Sequence, residues 1–206
     1  MIEVLQPADN KKLTTLQAVK EELQIDNAES DELLERLIDE ASAYIVRYCR
    51  RPFALETYRE TVAGYGGLYL VLSMRPIVDV ISVKEDGNAI DDYEIESPDA
   101  GILYRRSGWS WSPALEWLIT WHPSPNEYVK RYEVTYKAGY VLPPDPNRTL
   151  PEDIERACID IVRTWFNDAK RIDAIQSESL GDYSVTYART ATTESDKILD
   201  RWIAAI

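Results

Sequence analysis

The sequence is poor in the residues that build metal sites and disulfide frameworks. Among its 206 residues there are two cysteines, Cys49 and Cys158, and a single histidine, His122. Two cysteines and one histidine do not supply a structural zinc site by themselves. Both cysteines lie on the apolar faces of predicted helices, so we expect two reduced, buried thiols. We expect neither a metal nor a cofactor.

Long apolar runs and excess basic charge are also missing. No apolar stretch approaches a membrane span, and residues 1–10 lack a basic segment followed by an apolar one, so no membrane contact and no signal peptide are expected. Lys and Arg number 23 against 36 Asp and Glu, which gives a net charge of −13. Phosphate backbones repel such a chain. This disfavours a general nucleic-acid-binding role, but not a surface that DNA passes without sticking.

Two segments carry the 3.6-residue apolar period of amphipathic helices. The stronger one is residues 149–170, where Thr149 and Glu152 have the spacing of a capping box. Residues 31–50 repeat the period, with Ser30 as the predicted cap. Shorter helices are predicted at residues 14–24, capped by Thr14 with Gln17, and at residues 194–206. The apolar stripe of the 149–170 segment consists of Ile154, Ala157, Cys158, Ile161, Val162, Trp165, Phe166 and Ala169.

Between the two long helices the pattern changes to short β-rich runs. Asp86-Gly87 is a hairpin signal, and tight turns between short strands predict antiparallel pairing. The predicted fold class is therefore α+β: a helical bundle body of long amphipathic helices, residues 1–53 and 141–206, with an inserted antiparallel β-rich region, residues 54–140. The candidate strands are residues 58–62, 68–72, 78–84, 93–96, 102–105, 117–121 and 132–137.

Several local patterns, in order along nearly the whole chain, resemble the head-tail connector (adaptor) proteins of tailed bacteriophages. The most telling is SESLGDYSVTY at residues 177–187, which follows the long helix. A tryptophan-rich part, residues 109–121, has no clear counterpart in the shorter members of that family. The other stretches are LTTL (13–16), ASAYIVRYCRRPF (41–53), RPI (75–77) with ISV (81–83) and DG (86–87), and YKAGY (136–140).

The resemblance implies a structural protein of the virion neck, made in the bacterial host cytoplasm, with no enzymatic activity. It implies a homo-oligomeric ring, dodecameric on the virion, that lies below the portal protein and extends the DNA channel. DNA passes through that channel without sequence-specific binding. The ring also presents a docking surface for the next head-completion protein, a stopper, or for a tail protein.

We place the contacts of such a subunit in two segments near the end of the chain. A polar stretch between a helix and a strand, and an apolar final helix, are suited to the two different faces that a cyclic ring needs. The predicted oligomer or portal contacts are Ser177, Glu178, Leu180, Gly181, Tyr183, Val185, Tyr187, Ile198 and Trp202.

Two other interpretations remain open. Trp109, Trp111, Trp117 and Trp121 lie close in sequence, which suits core packing, a subunit contact, a partner-protein contact or the aromatic platform of a carbohydrate-binding or adhesion module. The acidic residues in the β region suit a hairpin turn and a solvated strand face, or the paired carboxylates of a hydrolase. Those acidic residues are Asp86, Asp91, Asp92, Glu94 and Glu96.

Overall fold

A computed structural model describes residues 1–110, 132–170, 177–180, 183–186 and 193–204. Within these ranges the chain forms four α-helices and ten strands. The helices are α1 (Leu16–Leu23), α2 (Asp31–Cys49), α3 (Glu152–Lys170) and α4 (Thr193–Leu199), and a 3-10 turn follows at Asp200–Trp202. The strands are β1 (Ile2–Gln6), β2 (Glu56–Val62), β3 (Tyr69–Val71), β4 (Ile77–Glu85), β5 (Asn88–Ile90), β6 (Glu94–Ser97), β7 (Ile102–Tyr104), β8 (Tyr132–Ala138), β9 (Ser177–Leu180) and β10 (Tyr183–Thr186).

The chain divides into two compact units, each built from two stretches of sequence. The first unit comprises Met1–Asp9 and Ala54–Tyr140, and the second comprises Asn10–Phe53 and Val141–Ile206. Strands β1 to β8 belong to the first unit. The four helices and the β9–β10 pair belong to the second.

The first unit contains two antiparallel sheets. One has the strand order β1-β2-β8-β4-β5 and the other β3-β7-β6. Strand β8 shows the period-2 alternation of a half-buried strand, because Tyr132, Val134, Tyr136 and Ala138 are buried and the residues between them are not. Strands β4 and β5 meet at the predicted Asp86-Gly87 turn, where both residues have positive φ. That hairpin prediction is confirmed.

A buried carboxylate is built into the core of this unit. Glu60 accepts hydrogen bonds from the Tyr136 hydroxyl at 2.7 Å and from the Ser73 amide at 3.0 Å, and a third from the Ser73 hydroxyl. Burial and the contact with Glu60 raise the pKa of Tyr136 well above its usual value. The phenol therefore stays a hydrogen-bond donor to the carboxylate.

The second unit is organised around α3, which packs against α1, α2 and α4. Its buried stripe, including Ile154, Ala157 and Ile161, follows the predicted period. Small residues on both sides, Ala41 of α2 and Ala157 of α3, are fully buried. Several cross-helix ion pairs add to this packing, such as those that Glu22 makes with Arg156 and Arg163.

The predicted fold class is wrong. The chain is β-rich, with ten strands in three antiparallel sheets among the described residues, and is not a helical bundle of long helices. Two of its helices, α1 and α4, have only 8 and 7 residues. The apolar period of residues 194–206 predicted too long a last helix, because the chain turns at Asp200–Trp202 and becomes extended at Ile203. Strand content was underestimated because the edge strand β1 buries no residue, and β5 has only three residues, of which Ile90 alone is partly buried.

The Tyr136–Glu60 hydrogen bond predicts the effect of removing the Tyr136 hydroxyl group. Tyr136→Phe should lower the free energy of unfolding by about 1–3 kcal/mol, because Glu60 stays buried with one donor fewer. Denaturant titration measures this change. The matched control is Tyr69→Phe, at a residue that is 55 % exposed, and we expect it to change stability by less than about 0.5 kcal/mol. Equal effects of the two variants would contradict the account.

The packing of α2 against α3 predicts the effect of enlarging one buried side chain. Ala41→Leu should destabilise the protein by about 1–3 kcal/mol, because the larger side chain overpacks a fully buried site. The same substitution at Ala43, which lies on the exposed face of α2, serves as the control. Thermal unfolding of both variants checks this, and an Ala41→Leu variant as stable as Ala43→Leu would contradict it.

Candidate functional site

Strands β9 and β10 carry most of the predicted contact residues. The two strands pair antiparallel, with Leu180 opposite Tyr183 and Glu178 opposite Val185. The pairing brings Ser177, Glu178, Leu180, Tyr183 and Val185 together on one two-stranded ribbon. The predicted contacts Gly181 and Tyr187 lie outside the described residues.

The ribbon has no third strand in the part of the chain that the structure describes. A two-stranded ribbon is marginally stable in water by itself. Its outer edges carry main-chain N–H and C=O groups that are suited to pairing with another strand. The ribbon is therefore a reasonable surface for an assembly contact, and the contact roles of its five residues stay a prediction.

The final segment of the chain lies along α2. The Tyr44 hydroxyl donates to Asp196 at 3.4 Å and the Tyr48 hydroxyl to Asp200 at 2.8 Å. Further on, the Ala204 amide donates to the Cys49 carbonyl oxygen at 2.9 Å. The hydrogen bond to Asp200 raises the pKa of Tyr48 to about 12, so this donor is retained at all ordinary pH values. Ile198 is half-buried in this arrangement.

Trp202 is held within its own chain. Its ring packs edge-on against Phe53 with centroids 6.3 Å apart, and its Nε1–H donates to Asp153 at 2.9 Å. The Arg51 guanidinium lies over both rings, 5.4 Å from the Phe53 centroid and 5.9 Å from that of Trp202. Trp202 thus fastens the last turn to the end of α2 and the start of α3. Its predicted contact with another subunit stays a prediction.

The two cysteines are free and buried, as predicted. Burial raises the pKa of Cys49 to about 11 and that of Cys158 to about 12. Thiols with such values are protonated near neutral pH and are poor nucleophiles. Cys158 lies 3.8 Å from the Ser42 hydroxyl, and Cys49 donates weakly to the Leu199 carbonyl oxygen. Both residues therefore serve packing.

Trp109 belongs to the core of the first unit. Its ring is fully buried and packs edge-on against Tyr132 with centroids 5.1 Å apart. Its Nε1–H donates to the Leu68 carbonyl oxygen at 3.1 Å, and the Arg105 guanidinium lies 5.7 Å from the ring centroid. Of the roles considered for it, the structure favours core packing. Trp111, Trp117 and Trp121 lie outside the described residues, as does His122.

The acidic residues of the β region do not converge on one site. Asp86 forms the β4–β5 turn, and Asp91, Glu94 and Glu96 are exposed. Asp92 accepts from the Ser107 hydroxyl at 2.7 Å and from Arg105 at 2.8 Å, and these contacts lower the pKa of its carboxyl group. An ionised Asp92 tied to Arg105 is suited to holding the loop, not to donating a proton.

Other site types are not supported among the described residues. No group of three or more His, Cys, Asp or Glu side chains in these ranges is placed to hold a metal ion. None of the described helices is long and apolar enough to cross a membrane.

Comparison with known proteins identifies the family. The model of the head completion protein family matches residues 12–202. No curated protein matches the chain significantly. Among solved structures, the fold is similar to a chain in the neck of an empty gene transfer agent particle computed with C6 symmetry (TM-score 0.59, 12 % identity, 100 % of this chain and 96 % of that chain covered). A chain in the neck of the native particle computed with C12 symmetry gives a TM-score of 0.57 at 12 % identity and the same coverage.

The resemblance to phage head-tail connectors that the sequence motifs indicated is thus confirmed, and its expectation of a structural role in head completion agrees with the family match. The chain belongs to the head completion protein family.

Proposed function

We propose that this chain is a ring-forming subunit of a virion neck. In this proposal identical copies assemble below the portal protein and extend the DNA channel. The ring then presents the docking surface for a stopper or tail protein. The role is structural and involves no catalysis.

The observation that carries the proposal is the extent of the match. The head completion family covers residues 12–202, so both units of the chain take part in it. Support also comes from the fold similarity, which spans nearly the full length of chains found in the neck of gene transfer agent particles. A partial match would have left one of the two units without an explanation.

The two segments near the end of the chain are the proposed contact regions. The outer edges of the β9–β10 ribbon pair with no other strand among the described residues, and the segment from Thr193 to Ala204 lies on the surface formed by α2 and α3. Closed rings use heterologous interfaces, in which two different faces of each subunit meet. We assign the ribbon to a contact with a neighbouring subunit or the portal.

The charge of the chain is suited to a DNA channel. A net charge of −13 repeated around a ring produces a field that repels phosphate groups. Such a channel holds DNA only weakly and lets it slide.

The carbohydrate-binding alternative is less favoured. Its aromatic platform would need exposed rings, and Trp109 is fully buried. No other observation on the described residues supports the carbohydrate-binding alternative.

Ring formation is the first prediction of this proposal. Light scattering and negative-stain microscopy of the purified chain at high concentration, alone and with portal-bearing tailless heads, should detect a ring with a central hole. The physical reason is that a single subunit exposes contact faces that only neighbouring copies cover. A chain that stays monomeric alone and also fails to bind such heads would contradict the proposal.

The ribbon assignment predicts the effect of charged substitutions. Leu180→Asp and Val185→Asp should weaken assembly about tenfold or more, because they place a charge at a proposed apolar contact. Ser179→Asp and Ser184→Asp, on the same two strands but outside the predicted contacts, are the matched controls. Sedimentation velocity measures assembly, and circular dichroism checks folding. Four variants that all assemble normally would rule out this role for the ribbon.

A further inference from the structure

Four basic side chains in the helical unit have no acidic partner among the described residues. They are exposed and lie at the C-terminal end of α2 and along the α4 segment. Most other cations of this unit are neutralised: Lys20 pairs with Asp31 at 2.6 Å, and Arg156 pairs with Glu22 at 2.8 Å. We call the four residues the basic end; they are Arg47, Arg50, Lys197 and Arg201.

Contacts between α2 and the final segment bring these four residues to the same end of the unit. Asp196 and Asp200 are fixed to Tyr44 and Tyr48, and Ala204 is fixed to Cys49. The cations therefore lie within about one helical turn of these anchor points. The carboxylates that these contacts place at this end are Asp196, Asp200 and Asp153, and the four cations outnumber these three.

The opposite end of α2 carries the complementary charge. Asp26, Glu29 and Glu32 lie in the connection from α1 and in the first turn of α2, where all three are exposed. None of them forms an ion pair within the described residues. We call them the acidic end. A 19-residue helix separates the two ends by about 27 Å.

The helix dipole explains only part of this pattern. It favours Glu32 at the start of α2 and Arg47 in its last turn. It does not explain Asp26, which lies just beyond the C-terminus of α1, where an acidic group is disfavoured. Nor does it explain why Asp26 and Glu29 form no ion pair among the described residues, while Lys12, Lys20 and Arg36 of the same unit are all paired.

We propose that the basic end of one copy binds the acidic end of the next copy. This inference rests on the proposed ring, whose heterologous interface needs two different and complementary faces. The occupant is a second copy because the complementary surface is present on the same unit of the same chain. Such charges set the register and association rate of an interface and exclude wrong orientations.

Charge reversal at each end tests this pairing. The basic-end variant is Arg47→Glu with Arg50→Glu, and the acidic-end variant is Asp26→Lys with Glu29→Lys. Each alone should weaken assembly at least tenfold, because like charges then face each other. The control, Arg106→Glu with Lys137→Glu, changes the net charge as much as the basic-end variant does. Both of its residues are exposed and belong to the first unit, whereas α2 belongs to the second.

Two recombinations make the test specific. A chain that carries all four reversals has exchanged ends and should assemble like the parent. An equimolar mixture of the two double variants should also assemble, with the two chains alternating, because one carries acidic groups at both ends and the other basic groups at both ends. Assembly is measured by sedimentation velocity at low and high salt, and folding by thermal unfolding.

The outcomes separate this inference from the proposed function. A basic-end variant that assembles like the parent, or recombined chains that stay impaired, overturns the inference and leaves the ring intact. If the basic-end variant loses binding to a short DNA duplex and its assembly is unchanged, the inference is also overturned, in favour of a DNA contact. If the parent chain is monomeric alone, the same variants are compared for binding to portal-bearing heads. A parent that does not bind there overturns both proposals.

Discussion

The burial of the apolar stripe of α3 is the constraint on which the second unit depends. Three other helices cover that stripe, and they come from positions before and after the β-rich part of the chain. The α3 helix alone would be unstable in water, since most helix stability in proteins comes from packing an amphipathic face. Because the chain leaves this unit at Phe53 and returns at Val141, the strands between them have to fold around a core of their own. Trp109, Tyr132 and Tyr136 supply that core.

The main helices were predictable from sequence, and so were both ends of α2 and the last residue of α3, but the capping residues of α1 and α3 were not. The apolar periods located α2 and α3 because a buried stripe leaves a strong pattern. Capping depends on local geometry: Thr149 accepts from the Val141 amide instead of capping α3, and the cap of α1 is Thr15, not the predicted Thr14. Central strand β8 was equally predictable from its alternation. Edge strand β1 was missed because all of its residues are exposed, and such omissions contributed to the wrong fold class.

The candidate surfaces were likewise only partly predictable from sequence. The ribbon residues came from a family resemblance, and the structure adds their register, with Leu180 opposite Tyr183. The basic end was invisible in sequence, because Arg47 and Arg201 are far apart and only the tyrosine–aspartate contacts bring their segments together. Trp109 illustrates the converse, since an aromatic-rich sequence does not reveal whether a ring faces a partner or the core. Its burial follows from tertiary packing against Tyr132.

The chain belongs to the head completion family, divides into two compact units and carries complementary charges at opposite ends of α2. These features are consistent with a subunit that works only in an assembly. The central claim is that its copies form a ring on the portal. Cryo-electron microscopy of tailless, DNA-filled heads incubated with the purified chain tests this directly at the portal vertex. The account predicts additional density below the portal, with rotational symmetry around the DNA axis, into which this fold fits. A portal vertex that is unchanged at saturating protein would contradict it.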